Sequence, residues 1–338
     1  MSQLDWEIAE QPQALGRALR DGAAAIHAAA AHVRRARPSY VVLAARGTSD
    51  NACRYFQHLL GRLCGLPVAL ASSSLHTLYD ADLRYRDALV VGVSQSGASP
   101  DVVSVLEAAG GRDGVTIAVT NDPQSPLAHC ARHVIELHAG VEASVAATKT
   151  YTTSLGVLAA LAAEIAGEPV LLRELHEMPG ALERQLGRGG ISDVAHRLAD
   201  FERLAVLGRG PNYATAFEAA LKLKELAGIA AEPASPADFL HGPVAIVNRG
   251  VPVLAFAISG PALGTVTEAL GAVRLRGGTV VVIGDSATSP DLVVESVPEW
   301  LSPLVAVIPA QQLAAELAAL HGADVDRPYG LTKVTRTR

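Results

Sequence analysis

Three short segments of this chain recur at a constant interval of 163 residues, and this repeat constrains the fold more than any other feature. Each recurring residue is small or acidic and follows an apolar run; the three pairs are Gly47 and Gly210, Ser96 and Ser259, and Asp122 and Asp285. Any two halves of similar composition look somewhat alike, but unrelated halves would not keep one interval over three separate motifs. The sequence therefore predicts a duplicated domain.

The apolar runs themselves predict the class of fold. They lie near residues 40–45, 66–71, 88–93, 115–120 and 133–137 in the first half, and near 203–208, 229–233, 251–257, 278–283 and 292–296 in the second. Runs such as Ala88 to Val93 contain no alternating polar residues, which is typical of parallel strands covered by helices on both faces. We expect an α/β protein with two tandem three-layer αβα domains, each with a mainly parallel five-stranded sheet.

Domain boundaries follow from where these runs stop. We expect a first domain over residues 1–170, which includes an N-terminal helical segment, and a second domain over residues 201–320. Between them, residues 171–200 are predicted to form a helical, charged linker, and residues 321–338 a C-terminal tail. In sheets of this kind ligands bind beyond the carboxyl ends of the strands, so we expect the site residues there.

Composition excludes several classes of function. The net charge of −6 provides no basic surface that would attract nucleic acid. The three cysteines are too few for a disulfide framework and favour a reducing compartment. Residues 1–20 carry charges without an apolar core, and runs such as Leu155 to Ala163 are about half the length that crosses a bilayer. We therefore expect a cytoplasmic protein without nucleic-acid or membrane partners.

A serine-rich segment follows the third predicted strand. Ser94, Gln95, Ser96 and Ser99 lie between that strand and a predicted helix, and Pro100 suits the first helical position. Hydroxyl groups and free backbone N–H groups at the start of a helix can bind a phosphate dianion without any lysine or arginine. The alternative is a turn that only caps the helix.

Two further polar segments occur where strands end or helices begin. Thr48 and Ser49 follow the first predicted strand, and Thr148 to Thr150 precede another helix. Each alone is more typical of a helix cap, but together with the serine-rich segment they predict one polar pocket. Nucleotide-binding motifs are not matched: Ala98-Ser99 stands where a P-loop needs Lys-Ser/Thr, and the third glycine of a dinucleotide fingerprint is missing after Gly210.

Acid–base candidates lie in the second half. Glu218, Lys222 and Glu225 are spaced i, i+4 and i+7, so they share one stripe of a helix predicted over residues 214–227. An exposed salt-bridged face would show the same spacing, yet the apolar neighbours on this helix favour burial. A carboxylate beside a cation can move a proton between adjacent carbon atoms, as aldose–ketose isomerisation requires.

His241, on a Gly-Pro turn, could transfer a proton at a sugar ring oxygen, although a lone loop histidine is often structural.

Metal and cofactor sites are not predicted. His129, Cys130 and His133 lie close together, but no matching histidine or cysteine pair is near in sequence, and no His-Glu-x-x-His motif occurs. We therefore expect neither a metal nor a cofactor.

Taken together, these motifs resemble the isomerase half of glucosamine-6-phosphate synthase, of the glutamine:fructose-6-phosphate amidotransferase family, which consists of two sugar isomerase (SIS) domains. The resemblance covers nearly all 338 residues. Its specific segments, in chain order, are residues 47–49, 94–97, 145–150, 218–225, 241–243 and 324–328, followed by Lys333.

The resemblance implies roles for individual residues. Glu225 would move a proton between C1 and C2, and His241 would open and close the sugar ring. Lys333 would contact the open-chain carbonyl, in one version as a Schiff base, and Lys222 would assist. The residues that would contact the sugar phosphate are Thr48, Ser49, Ser94, Gln95, Ser96 and Ser99 for the phosphate, and Val145, Ala147 and Thr148 for the rest of the molecule. In this family the histidine reaches the pocket from the neighbouring subunit, which implies a homodimer with shared sites.

Two departures from the family bear on the reaction. The synthase has an N-terminal glutaminase domain with a cysteine nucleophile just after the initiator methionine, whereas residue 2 here is serine and the first SIS domain begins almost at once. We therefore expect no delivery of ammonia from glutamine. Ala147 stands where the synthase usually has a serine that contacts the sugar, which leaves the substrate open.

The resulting prediction is an enzyme that acts on an amino sugar 6-phosphate in the catabolic direction. The favoured prediction is a glucosamine-6-phosphate deaminase, which converts glucosamine 6-phosphate and water to fructose 6-phosphate and ammonia. Related alternatives are a fructosamine-6-phosphate deglycase and a galactosamine-6-phosphate deaminase/isomerase. An alternative of another class is a sugar-phosphate sensor without turnover, although regulators with SIS domains usually carry a helix-turn-helix domain, for which we expect no room here.

Overall fold

A computed structural model of the chain describes residues 1–110 and 114–333. In those residues it contains ten strands in two five-stranded sheets, and all the strand pairs are parallel. The strands are β1 (Tyr40–Ala44), β2 (Val68–Leu70), β3 (Ala88–Ser94), β4 (Val115–Thr120), β5 (His133–Glu136), β6 (Arg203–Leu207), β7 (Ala230–Ala234), β8 (Val253–Ala257), β9 (Val280–Gly284) and β10 (Leu292–Val293).

The duplication predicted from the constant interval is confirmed by the sheet topology. One sheet has the order β2-β1-β3-β4-β5, and the other has the corresponding order β7-β6-β8-β9-β10. The register agrees as well: Val42 pairs with Val90 in the first sheet, and Ala205 pairs with Val253 in the second, each 163 residues later. Two αβα domains of one topology therefore follow each other along the chain.

Strand β10 is shorter than predicted, ending at Val293 rather than near residue 296. Its partner strand β9 ends at Gly284, the residue that pairs with Val293, so the ladder has no further partner. Beyond it, the backbone N–H of Glu295 donates to Gln185 Oε1 over 2.7 Å.

Helices surround both sheets. Those of the first half are α1 (Gln3–Ala9), α2 (Gln11–Asp21), α3 (Ala23–Ala36), α4 (Thr48–Cys64), α5 (Ser74–Thr77), α6 (Pro100–Gly110), α7 (Pro126–Cys130) and α8 (Lys149–Ala166). They are followed by α9 (Pro169–His176), α10 (Met178–Leu186), α11 (Ile191–Leu198), α12 (Asn212–Ala227), α13 (Pro236–Leu240), α14 (Leu263–Leu275) and α15 (Ser302–Leu320). Short 3₁₀ turns lie at Pro243–Arg249, Ser286–Thr288 and Glu299–Leu301.

The predicted linker is helical but not continuous. It breaks at Glu177 between α9 and α10, because Pro179 has no N–H group and its ring would clash with the carbonyl four residues earlier. The same proline is tolerated in the first turn of α10, where no N–H partner is required.

The chain forms two compact units. One contains the first sheet and comprises Gln11–Glu142, Lys149–Glu177 and Lys333; the other contains the second sheet and comprises Met1–Glu10, Ala143–Thr148 and Met178–Thr332. Helix α1 joins the second sheet's unit because the Asp326 carboxylate accepts hydrogen bonds from the N–H groups of Gln3 and Leu4, at 2.9 and 2.8 Å. These bonds satisfy two donors at the start of α1 that have no partner within the helix.

Each sheet is covered by apolar helix faces. In the first unit, Val90 and Ala118 pack under Leu106 of α6 and Leu127 of α7, while α8 packs against α2, α3 and α4. In the second unit, α12 lies along α15, and α14 packs on β8 and β9. Among the described residues one helical span, Glu299–Leu320, has the length and hydropathy to cross a membrane, but 78% of its most apolar window is buried, as in a core helix.

Candidate functional site

The serine loop, residues 94–99, connects the end of β3 to the start of α6 at Pro100, as predicted. Gly97 N–H donates to Ser94 Oγ over 3.1 Å, and Ala98 N–H donates to Ser96 Oγ over 3.3 Å. Within the described part of the chain, neither hydroxyl donates its own hydrogen to an acceptor. Because their hydrogens remain available, these hydroxyl groups can donate to a ligand that only accepts hydrogen bonds, such as a phosphate dianion.

Gly97 fixes the shape of the serine loop. Its φ of +59° is readily adopted only by glycine, and a Cβ atom there would lie 2.0 Å from Ser125 Oγ. The loop is also held by the residue that follows β4 and by α7: Asn121 N–H donates to the Gln95 carbonyl, and Leu127 N–H of α7 donates to the Gly97 carbonyl, both over 3.0 Å. The serine hydroxyls are therefore presented on a rigid backbone.

Thr48 and Ser49 open helix α4 directly after β1. Because Ala44 at the end of β1 pairs with Gly92 in β3, this turn and the serine loop leave the same edge of the sheet on neighbouring strands. The structure thus brings two of the three predicted polar segments together. Thr148, from the third segment, belongs to the compact unit of the second sheet.

In the second domain, the loop that corresponds to the serine loop has its hydrogen-bond donors already bonded within the chain. Ser259, which corresponds to Ser96, donates its hydroxyl to Asp285 Oδ1 over 3.0 Å and its backbone N–H to Asp285 Oδ2 over 2.6 Å. Asp285 corresponds to Asp122 and is buried. A carboxylate of the chain itself therefore occupies the donors that an anionic ligand would use, which leaves the serine loop of the first domain as the anion-binding candidate.

The acid–base stripe lies on α12, which begins at Asn212 and ends at the left-handed Gly228. Lys222 Nζ lies 3.4 Å from Glu218 Oε1 and also donates a hydrogen bond to Glu225 Oε2. The Lys222 and Glu218 side chains are 1% and 0% exposed, whereas that of Glu225 is 25% exposed. A solvated salt-bridged face is thereby excluded. One buried cation sits between two carboxylates, and the outer carboxylate reaches solvent.

His241 caps helix α13 and is exposed. Its backbone N–H donates to the Asp238 carbonyl over 3.1 Å, and the next residue, Gly242, has a φ of +129° that begins the turn into Pro243. The imidazole makes no hydrogen bond or ion pair with any residue that the structure describes. The ring is therefore available to a ligand or to another molecule.

Lys333 lies in the first sheet's unit, paired with a residue that sequence reasoning missed. Its Nζ lies 2.8 Å from Oε2 of Glu142, a fully buried carboxylate that also accepts hydrogen bonds from the N–H and hydroxyl of Thr150, at 3.0 and 2.7 Å. The ion pair anchors Lys333 to this unit. Glu142 stands 191 residues from Lys333, so no local pattern in the sequence reveals the contact.

A second missed residue positions the segment that contains Val145, Ala147 and Thr148. Glu7 on α1 is fully buried, and its Oε1 atom accepts the N–H of Ala143 over 2.5 Å and that of Ser144 over 3.3 Å. Val145 and Ala147 are partly exposed, while Thr148 is buried. In the sequence Glu7 appeared only as one of several charges near the N-terminus.

The histidine–cysteine cluster lies away from the serine loop. His133 is the first residue of β5 and so lies at the amino ends of the strands, whereas the serine loop lies at their carboxyl ends. Its Nε2 lies 2.8 Å from Nδ1 of His32. Burial, followed by His32 and Arg132, lowers the pKa of His133 below its ordinary value. A neutral pair in which one ring donates to the other accounts for this contact.

Comparison with known proteins agrees with the duplicated architecture. The SIS domain profile matches residues 36–164 and 197–320. A candidate phosphosugar isomerase from Silicibacter pomeroyi superposes with a TM-score of 0.88 at 36% identity, over 96% of this chain and 100% of that one. The C-terminal domain of glucosamine-fructose-6-phosphate aminotransferase from Francisella tularensis superposes with a TM-score of 0.84 at 27% identity, over 97% of this chain and 98% of that one.

Among characterised sequences, the glutamine–fructose-6-phosphate aminotransferase of Thermococcus kodakarensis is 34% identical over an alignment that covers 97% of this chain and 56% of that protein. The enzyme of the same name from Zymomonas mobilis is 33% identical over an alignment that covers 87% of this chain and 51% of that protein. The chain thus spans about half the length of these relatives. With both halves matched by one domain profile, the chain belongs to the SIS domain family.

Proposed function

We propose that this chain is an amino-sugar 6-phosphate deaminase/isomerase whose main reaction converts glucosamine 6-phosphate and water to fructose 6-phosphate and ammonia. The observation that carries the proposal is the Glu218–Lys222–Glu225 cluster on α12. A buried lysine that holds one carboxylate at the surface is a suitable arrangement for moving a proton between two carbon atoms, because the cation stabilises the charged base.

The reaction follows from these groups in three steps. His241 transfers a proton at the ring oxygen, which opens the sugar to its aldehyde. Glu225 then takes the proton from C2 and returns it to C1, while the carbonyl oxygen at C1 gains a proton and the amine nitrogen at C2 loses one. The aldehyde carbon thereby becomes a primary alcohol, and the amine at C2 becomes an imine. Water adds to this imine and ammonia leaves, which yields the ketone of fructose 6-phosphate.

The remaining residues bind and position the substrate. The unused hydroxyl hydrogens of the serine loop would donate to the 6-phosphate, assisted by Thr48 and Ser49. Lys333, held by Glu142, would contact the open-chain carbonyl oxygen. The names of the aminotransferase relatives support the substrate class, since fructose 6-phosphate, which they use, is the product proposed here.

A coupled assay tests the proposal. The chain is incubated with glucosamine 6-phosphate in the absence of glutamine, and released ammonia is measured with glutamate dehydrogenase. Ammonia should appear together with fructose 6-phosphate. A ketose 6-phosphate formed from an aldose 6-phosphate without ammonia would identify an isomerase instead, and ligand binding without any product would identify a sensor.

A further inference from the structure

We propose that Arg46 binds the phosphate group of the substrate directly and that Asp101 orients it. The inference rests on the proposed function only in so far as it places a sugar phosphate at the serine loop. It adds a cation to a site that the sequence predicts to consist of hydroxyl and backbone donors alone.

The strand register places Arg46 beside the serine loop. Arg46 lies two residues beyond the end of β1, and Ser94 lies two residues beyond Gly92 of β3, with which Ala44 pairs. The two residues therefore leave neighbouring strands at the same level of the carboxyl edge. The Arg46 carbonyl also accepts the N–H of Ser49 over 3.1 Å. Arg46 is therefore bonded to the Thr48–Ser49 segment, the second segment predicted to bind the phosphate.

An ion pair turns the Arg46 side chain toward the loop. Its Nε and Nη2 atoms donate to Oδ2 of Asp101 over 3.0 and 2.7 Å. Asp101 is the second residue of α6, two positions after Ser99, and its side chain is 5% exposed. Thr77 donates to the other carboxylate oxygen over 3.3 Å, which holds the acid in place.

The guanidinium retains donors for a ligand. Arg46 is 48% exposed, and no acceptor in the described residues bonds to Nη1. Without the arginine, the Asp101 carboxylate in the first turn of α6 would repel a phosphate on the adjacent loop. With it, the charge is neutralised, and a planar fork of donors that matches phosphate oxygens is supplied.

Calorimetric titration with D-glucitol 6-phosphate, which has no carbonyl and cannot be isomerised, tests this role. Arg46→Gln should raise Kd about tenfold to a hundredfold, as expected for a lost charge-assisted bond, and should reduce its dependence on salt. Arg46→Lys should recover part of the affinity, because it keeps the charge without the fork. The matched control is Arg197→Gln, which removes an arginine of similar exposure (47%) from an ion pair with Asp291 and should leave Kd unchanged.

A double variant separates direct contact from simple neutralisation. If Arg46 touches the phosphate, Arg46→Gln combined with Asp101→Asn should bind better than Arg46→Gln alone but remain weaker than wild type. Wild-type affinity in either Arg46→Gln protein would overturn the inference. Tight binding by a wild-type protein that releases no ammonia would reject the proposed function and leave this inference standing, whereas no binding by the wild type would reject both.

Discussion

Lys222 donates a hydrogen bond to Glu225 one turn further along α12, and the lysine is buried whereas the carboxylate is partly exposed. The lysine also pairs with Glu218, which has no exposed surface, so a single ammonium serves two acids. Of the two carboxylates that flank this ammonium, only that of Glu225 reaches water, with 25% of its side chain exposed. The same feature makes Glu225 the group of this cluster that a substrate can approach.

Replacing Lys222 should destabilise the fold strongly. Lys222→Met leaves Glu218 buried without its cation, and we expect the free energy of unfolding to fall by about 3–5 kcal/mol, as for other broken buried pairs. Urea denaturation measures the change. Lys224→Met is the control, because Lys224 is exposed on the same helix and its loss should cost less than about 0.5 kcal/mol. Equal stability of the two variants would contradict the described cluster.

The serine loop should determine KM rather than kcat. In the double variant Ser94→Ala/Ser99→Ala each lost bond to phosphate should cost roughly 1.5–3 kcal/mol, so KM for a 6-phosphorylated sugar rises while the unphosphorylated sugar is little affected. Ser259→Ala is the matched control in the duplicated loop, where the hydroxyl binds Asp285. That variant should lose some stability and keep its KM. An unchanged KM in the double variant would remove the loop from the phosphate site.

Glu142 should act by positioning Lys333. Glu142→Gln keeps the shape of the side chain but removes the charge that holds the ammonium, so we expect kcat to fall about tenfold to a hundredfold with little change in KM. The control is Glu136→Gln, which removes a partly exposed carboxylate paired with His138 in the same unit. If kcat is retained in Glu142→Gln while Lys333→Ala is inactive, the lysine acts without this contact.

Subunit complementation tests whether active sites are shared. His241 is exposed and its ring has no partner among the residues described, so we expect it to serve the partner subunit's Glu225 in a homodimer. Inactive His241→Ala and Glu225→Gln proteins are mixed under conditions that exchange subunits. Statistical exchange should restore up to about a quarter of wild-type activity, because each mixed dimer has one intact site. Sites built from one chain would recover nothing, and a monomer in sedimentation would also refute the idea.

Apart from the duplication at a constant interval of 163 residues, what could be predicted from the sequence was local. The strands, the start of α6 at Pro100 and the stripe on α12 follow from apolar runs and from spacings of a few residues. The break at Glu177 was not predicted, although its cause is local, because Pro179 cannot continue a helix.

The residues that were missed act across long stretches of chain. Glu7 binds backbone 136 and 137 residues away, and Glu142 pairs with a lysine 191 residues away. The Arg46–Asp101 pair depends on the register of β1 against β3. Each of these contacts is determined by how the strands are ordered, and a lone charge in the sequence carries no sign of its partner.

Glucosamine 6-phosphate that carries deuterium at C2 tests the proposed proton transfer by Glu225 most directly. It is incubated with the wild-type chain without glutamine, and the products are analysed by NMR and mass spectrometry. We expect ammonia and fructose 6-phosphate with part of the label at C1, because one carboxylate removes and returns the nucleus. Glu225→Gln should form neither product while it still binds D-glucitol 6-phosphate. Release of ammonia by Glu225→Gln at the wild-type rate, or no ammonia from the wild type, would refute the proposed reaction.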